Sequence, residues 1–182
     1  DFVELPSQFM ENYCYHPEVL KTYAFHYQTG ELIPEELVAK INKAGTFNQG
    51  FVQTELLSAS ILDMDYHKMT TTEIFDVNAF EDESMKKMQM IPEIITRYRS
   101  TFYNHIFTTG YAAGYYSYTW AAVLDADAFA AFAETGDIFN PEMAAKFQRL
   151  LEQGGTRDAA LLYQEFRGKN ADPKHLLKRC GF

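Results

Sequence analysis

The chain has 182 residues, 47% hydrophobic and 23% charged, with 15 Phe and 12 Tyr, enough apolar side chain for a sizeable core, which excludes a disordered tail. Its 25 acidic residues outnumber 16 basic ones and leave a net charge of -9, which excludes a nucleic-acid backbone as the main partner, since that binding needs clustered Lys and Arg. Cys14 and Cys180 lack CxxC spacing and no apolar run is long enough for a membrane span, so no thiolate zinc site, disulfide framework or membrane partner is expected.

Residues 1–15 read as a helix, with Asp1 as the N-cap candidate, Pro6 in the first turn, and Phe2, Leu5, Phe9, Met10 and Tyr13 apolar. Glu4, Ser7 or Gln8, and Glu11 share its polar face, and for carboxylates a solvated face is the default. Pro17 opens a second helix through Phe25, followed by a turn at Thr29-Gly30. Pro34-Glu35-Glu36 starts a third, which Gly45 ends. Between Gln49 and Met64, Phe51, Val52, Leu56, Ala59 and Leu62 recur in helical rhythm and predict a core helix.

Thr70-Thr71-Thr72-Glu73 resembles a capping box, which predicts a helix from there to Met90. Its acidic residues Glu73, Asp76, Glu81, Asp82 and Glu83 read as a solvated face. Pro92 interrupts, and Ile94 to Phe102 leads to a small-residue loop. A long helix follows to about Glu134, its alanines allowing close neighbours, and Gly136 stops it. Asn140-Pro141 starts the next, which Gly154-Gly155 ends. Another runs from Thr156-Arg157-Asp158 to Arg167-Gly168, and Asp172-Pro173 caps a last short one through Arg179. Every periodic segment has the 3.6-residue period, so the fold is read as all-α, with no repeat and no long linker.

The stretch that draws chemical interest is Thr108-Thr109-Gly110-Tyr111-Ala112-Ala113-Gly114-Tyr115-Tyr116-Ser117-Tyr118-Thr119-Trp120. A helix beginning near Tyr111 would put Tyr111, Tyr115 and Tyr118 on one face, with room left by Gly110 and Gly114. His105 lies just before the loop, so an imidazole and several phenols can converge there. Tyrosines at helical spacing also serve as plain core packing, each hydroxyl tied to the backbone. Known catalytic motifs are absent: no two of the five histidines are four apart, and there is no GxSxG or GxGxxG. By residues alone the chain offers a carboxylate face and a Tyr/His face.

Asp1-Phe2-Val3-Glu4-Leu5-Pro6-Ser7-Gln8-Phe9-Met10-Glu11-Asn12-Tyr13 resembles the segment that follows the HExxH helix in the thimet oligopeptidase family of zinc peptidases, also called M3. The block from His105 to Trp120 is similar to that family's substrate-side tyrosine loop, in a form most like the bacterial peptidyl-dipeptidases. The tail from Leu162-Tyr163-Gln164-Glu165-Phe166 to Gly181-Phe182 resembles the end of those enzymes.

The resemblance implies a large helical enzyme, two lobes around a deep channel with Zn2+ on its floor, residues 1–182 forming the C-terminal portion of the catalytic domain. Two histidines and the general-base glutamate would come from HExxH, and Glu4 would complete the protein ligands, leaving one position for water. Glu11 would steady a histidine ligand or face other polar groups. Tyr111 and Tyr118 match tyrosines that donate to the oxyanion, while His105 and Tyr115 match positions that contact substrate. Gly110, with Thr108 and Thr109, matches a mobile cover, although the two threonines depart from a loop usually richer in glycine.

HExxH does not occur in these residues, and the chain opens at Asp1 without an initiator methionine, so a piece of something longer is expected. The partners implied are short peptides, the N-terminal lobe and the HExxH helix. The intact protein should remove C-terminal dipeptides and exclude folded proteins, whereas this chain alone should be inactive and bind zinc poorly. Self-association of the piece would not imply a natural dimer. A cytoplasmic location is expected, unless a signal peptide precedes the chain. Two alternatives stand beside this: an internal-cleaving oligopeptidase of the same family, and a metal-free helical interaction module.

Overall fold

A computed structural model describes residues 2–108 and 110–182; the Asp1 N-cap and the Thr109 part of the loop lie outside them. The described residues form ten α-helices, one short 3-10 turn at Ser100–Phe102 and no strand, beyond a single antiparallel bridge between Phe25 and Leu32. The all-α expectation therefore holds. The chain divides into two compact units, one running up to Phe47 and resuming at Trp120–Phe182, the other spanning Asn48–Thr119.

The first unit contains α1 (Leu5–Cys14), α2 (Pro17–Tyr23) and α3 (Glu35–Gly45). It also holds most of α7 (Ser117–Ala133), together with α8 (Pro141–Glu152), α9 (Ala159–Arg167) and α10 (Lys174–Cys180). Local chemistry sets most boundaries. The Asn140 side chain accepts the amides of Glu142 and Met143 at 3.1 and 2.9 Å, and Asp158 accepts that of Leu161 at 3.0 Å. Gly136, Gly168 and Gly181 end their helices with φ of 79, 78 and 87°, where a side chain would be strained. Leu5 and Phe9 of α1 enter a core with Leu124, Phe132, Phe147, Leu150, Leu162 and Phe166. By contrast α3 buries none of its residues, and Leu37, Ile41 and Phe47 stay exposed. Cys14 and Cys180 are both free thiols.

Two aspartates on α7 are buried in this unit. Asp127 accepts the Tyr163 hydroxyl at 2.8 Å and Arg167 Nε at 3.1 Å, with His175 Nε2 at 3.3 Å. Asp125 pairs with Arg179 and accepts Asn12 Nδ2 at 2.9 Å. A buried carboxylate is tolerated when donors and a cation surround it, and these two tie α9, α10 and α1 to α7.

The second unit holds α4 (Gln49–His67), α5 (Val77–Lys87) and α6 (Asn104–Phe107). Here the expectations need correction. The helix predicted from Thr70 begins at Val77, because the Asp76 carboxylate takes the amides of Asn78 and Ala79 at 2.9 and 3.2 Å while Thr71 only bonds the Glu73 amide. Nor is the acidic stretch wholly solvated. Glu81 is 3% exposed, accepts the Ser100 amide and hydroxyl at 2.7 and 2.9 Å, and pairs with Arg99. Only the second half of α4 is core, and its buried set includes Ser58, Ser60 and Asp63 beside Ala59 and Leu62. Small residues there admit the segment before α6: the Tyr103 hydroxyl reaches the Ala59 carbonyl at 3.0 Å.

Candidate active site

In the first unit, α1 is fixed from below by Leu5, fully buried, and Phe9, 3% exposed. Proline in the first turn sets the start of the helix, and Glu4 occupies its N-cap position. The Glu4 carbonyl accepts the Gln8 amide at 3.0 Å, so the backbone at Glu4 belongs to the helix. Its carboxylate does not cap the helix amides. Instead Oε2 accepts the Ser7 hydroxyl at 3.0 Å, and the side chain stays half-buried. Glu11 lies two turns further along and is exposed. Asn12, beside it, donates to Asp125 and accepts Arg179 Nη1 at 3.1 Å, and the Tyr13 hydroxyl donates to the Ile138 carbonyl at 2.7 Å. These bonds hold the helix that carries Glu4.

An apolar cavity of about 830 Å³ in the same unit is lined by Phe9, Met10, Tyr13, Phe139 and Phe147 among others, and neither Glu4 nor Glu11 reaches it. Among the described residues, no three His, Cys, Asp or Glu side chains gather where they could hold a metal ion.

The second unit assembles the tyrosines by a route different from the predicted one. Residues 110–116 form successive turns, and α7 begins only at Ser117, so Tyr111, Tyr115 and Tyr118 do not share a helix face. They converge nonetheless. The rings of Tyr111 and Tyr118 stack with centroids 5.0 Å apart and 14° between planes, and Tyr115 lies 5.0 Å from Tyr118. His105, on α6, meets all three at 5.9, 5.5 and 6.2 Å, edge against face.

The Gly114 amide donates to the Tyr111 carbonyl at 2.8 Å, and the Ser117 amide to the Gly114 carbonyl at 3.0 Å, so the backbone itself closes the turn. A Cβ on Gly114 would meet the Tyr111 carbonyl oxygen at 3.4 Å, an ordinary van der Waals contact. The left-handed residue is Ala113, with φ of 54°. Gly110 is exposed, and a Cβ there would touch nothing.

Burial separates the phenols. Tyr111 and Tyr118 are half-buried, whereas Tyr115 is 3% exposed and packs against Tyr98, Tyr103, His105 and Tyr118. Burial pushes the Tyr115 phenol well above its usual range; Tyr98 adds to the rise and Arg97 opposes it. Tyr115 is therefore a neutral group beneath the stack. Tyr103, also driven up first by burial, extends this layer and stacks on Tyr98 at 5.0 Å.

Sequence reasoning passed over the residue that organises the turn. Asp63, fully buried on α4, accepts the Ala113 amide through Oδ1 and the Tyr115 amide through Oδ2, both at 2.9 Å. His67 Nδ1 lies 2.8 Å from Asp63 Oδ1. The available signal was an Asp with a His four residues on, in the middle of a helix with apolar rhythm. Tyr98 and Arg97, whose guanidinium lies 5.8 Å from the Tyr98 ring centre, were equally unmarked.

A sequence model of the family described as Peptidase family M3 matches residues 1–182. The chain belongs to peptidase family M3, a family of metallopeptidases. It is 42% identical over 183 residues to a dipeptidyl carboxypeptidase of Escherichia coli (strain K12), covering 100% of this chain and 27% of that protein. It is also 41% identical over 189 residues to the chloroplastic/mitochondrial organellar oligopeptidase A of Arabidopsis thaliana, covering 100% of this chain and 24% of the relative. Oligopeptidase A of Escherichia coli (strain K12) is 37% identical over 187 residues, with 100% and 27% covered. The chain thus spans about a quarter of the length of the curated relatives it matches. Among the described residues, no helix is long and apolar enough to cross a membrane.

Proposed function

We propose that this chain is the C-terminal part of the catalytic domain of a zinc-dependent peptidyl-dipeptidase, to which it contributes one zinc ligand and the tyrosines that stabilise the oxyanion. The observation that carries the reading is the stacked Tyr111–Tyr118 pair, half-buried, with His105 against its edge. Membership of the M3 family gives that pair its chemical context.

Glu4 suits zinc as a single oxygen donor: it is half-buried and its helix is anchored. A catalytic zinc takes three protein ligands, and in our reading an HExxH helix supplies the other two. When bound, the metal supplies Lewis-acid polarisation of the scissile carbonyl and a water of lowered pKa. Glu11 is the residue we assign to hydrogen-bond one of those histidines.

The remaining steps belong to the second unit. The Tyr111 and Tyr118 hydroxyls donate to the oxygen on which negative charge develops, a task that suits hydroxyls held in place before the reaction starts. His105 and Gly110 contact the peptide. For Tyr115, 3% exposed, support from beneath the stack is a better assignment than the direct substrate contact implied by resemblance. Thr108 and Gly110 border a loop that would cover bound peptide. Substrates are short peptides, and the missing ligands and lobe are the chain's partners. A cytoplasmic location is part of the same proposal.

Internal cleavage is the second reading, favoured by oligopeptidase A relatives at 41% and 37% identity beside the dipeptidyl carboxypeptidase at 42%. Product analysis separates them. An N-terminally blocked octapeptide, incubated with the intact enzyme that contains this chain, is expected to release its C-terminal dipeptide first, then successive dipeptides. An amidated C-terminus should slow that release. Initial cuts at a central bond, indifferent to amidation, would favour the oligopeptidase; no cleavage of any short peptide would return the chain to the interaction-module class.

A further inference from the structure

We propose that Asp63 is the positioning residue for the oxyanion tyrosines, acting through the backbone of the turn that carries them; the assignment rests on the role given above to Tyr111 and Tyr118. A fully buried carboxylate is held where donors replace its lost water. Asp63 has three: the Ala113 amide on Oδ1, the Tyr115 amide on Oδ2, each at 2.9 Å, and His67 Nδ1 at 2.8 Å from Oδ1. The same imidazole nitrogen lies 2.8 Å from the Asp63 carbonyl, and two facing acceptors require it to carry the hydrogen.

The two amides flank Gly114. With the Gly114 amide closed onto the Tyr111 carbonyl at 2.8 Å, the three successive amides of residues 113–115 are all engaged, two of them on one carboxylate. Ala113 sits there at φ of 54°, a conformation an alanine adopts only when its surroundings impose it. Tyr111 and Tyr118 lie just before and just after this latched segment. Their parallel stack therefore depends on a residue about fifty positions upstream that touches neither ring's hydroxyl. Sequence separation hides the connection, since the carboxylate that takes the Ala113 and Tyr115 amides lies on α4.

Asparagine at position 63 keeps the size and offers one acceptor, but turns an NH2 group toward the second amide. In the intact enzyme, Asp63→Asn is expected to lower kcat about 10- to 100-fold with KM within about twofold, as a small misplacement of aligned groups does. Combined with Tyr118→Phe, it should add much less than its own separate loss, because both changes remove the same interaction. Loss from Tyr118→Phe with none from Asp63→Asn would overturn the inference, as would fully multiplicative losses in the double variant. An unchanged Tyr118→Phe would instead sink the oxyanion reading on which it stands.

A second measurement does not depend on a variant folding. In the wild-type enzyme, the Ala113 and Tyr115 amides should exchange with solvent as slowly as the amides of the buried half of α4. Exchange at the rate of exposed turns would show that no latch exists.

Discussion

Tyr118→Phe in the intact enzyme is expected to reduce kcat by about 10²- to 10³-fold while KM changes less than about twofold. The ring stays, so the 5.0 Å stack on Tyr111 and the contacts to Tyr115 and His105 survive. Position 118 is in the first turn of α7, where its amide donates to the Tyr115 carbonyl at 3.3 Å, a backbone bond that the substitution leaves in place. Only a hydroxyl is lost. A donor used equally by substrate and transition state would raise KM instead, and a purely structural phenol would leave turnover alone. Loss of a transition-state donor raises the barrier by about 3 to 4 kcal/mol, which is the range expected for one aimed hydrogen bond in a dry site.

Glu4→Ala should have a comparable effect by another path. Removing the carboxylate is expected to weaken zinc binding by at least about 10²-fold, since even residues that only orient a metal ligand are worth 10- to 100-fold, and turnover should fall with metal content. Fold stability should hardly respond, because Leu5 and Phe9, which anchor this helix, remain buried. Metal analysis after dialysis, alongside a thermal melt, separates the two. Full zinc occupancy in a folded Glu4→Ala enzyme would remove Glu4 from the ligand set.

Much of the helical framework was legible because its signals are local. Asn140 and Asp158 cap helices through their own side chains, and Gly136, Gly168 and Gly181 end them with positive φ. The start near Thr70 failed because two caps compete within six residues and the aspartate, bonding two amides, prevails. Glu81 and Asp63 were hidden for another reason. Burial of a carboxylate is decided by donors far along the chain, here Ser100 and the amides of Ala113 and Tyr115, and periodicity carries no trace of them. The buried Asp125 and Asp127 on α7, matched by Arg179 and Arg167, are the same case in the other unit.

For the candidate site, the residue types were readable and their geometry was not. Helical spacing suggested a common face for Tyr111, Tyr115 and Tyr118, and the rings do meet, yet through a latched turn that also buries Tyr115. Glu4 could be singled out only by resemblance, since an acidic residue at a helix start is ordinarily a solvated one.

Zinc content and cleavage of a blocked peptide, measured side by side on this 182-residue chain and on a version extended upstream through the expected HExxH helix and its lobe, test the central claim most directly. One zinc per molecule and release of C-terminal dipeptides by the extended protein, with neither in the shorter chain, is the predicted result. A well-folded extended protein that holds no zinc and cuts nothing would contradict it.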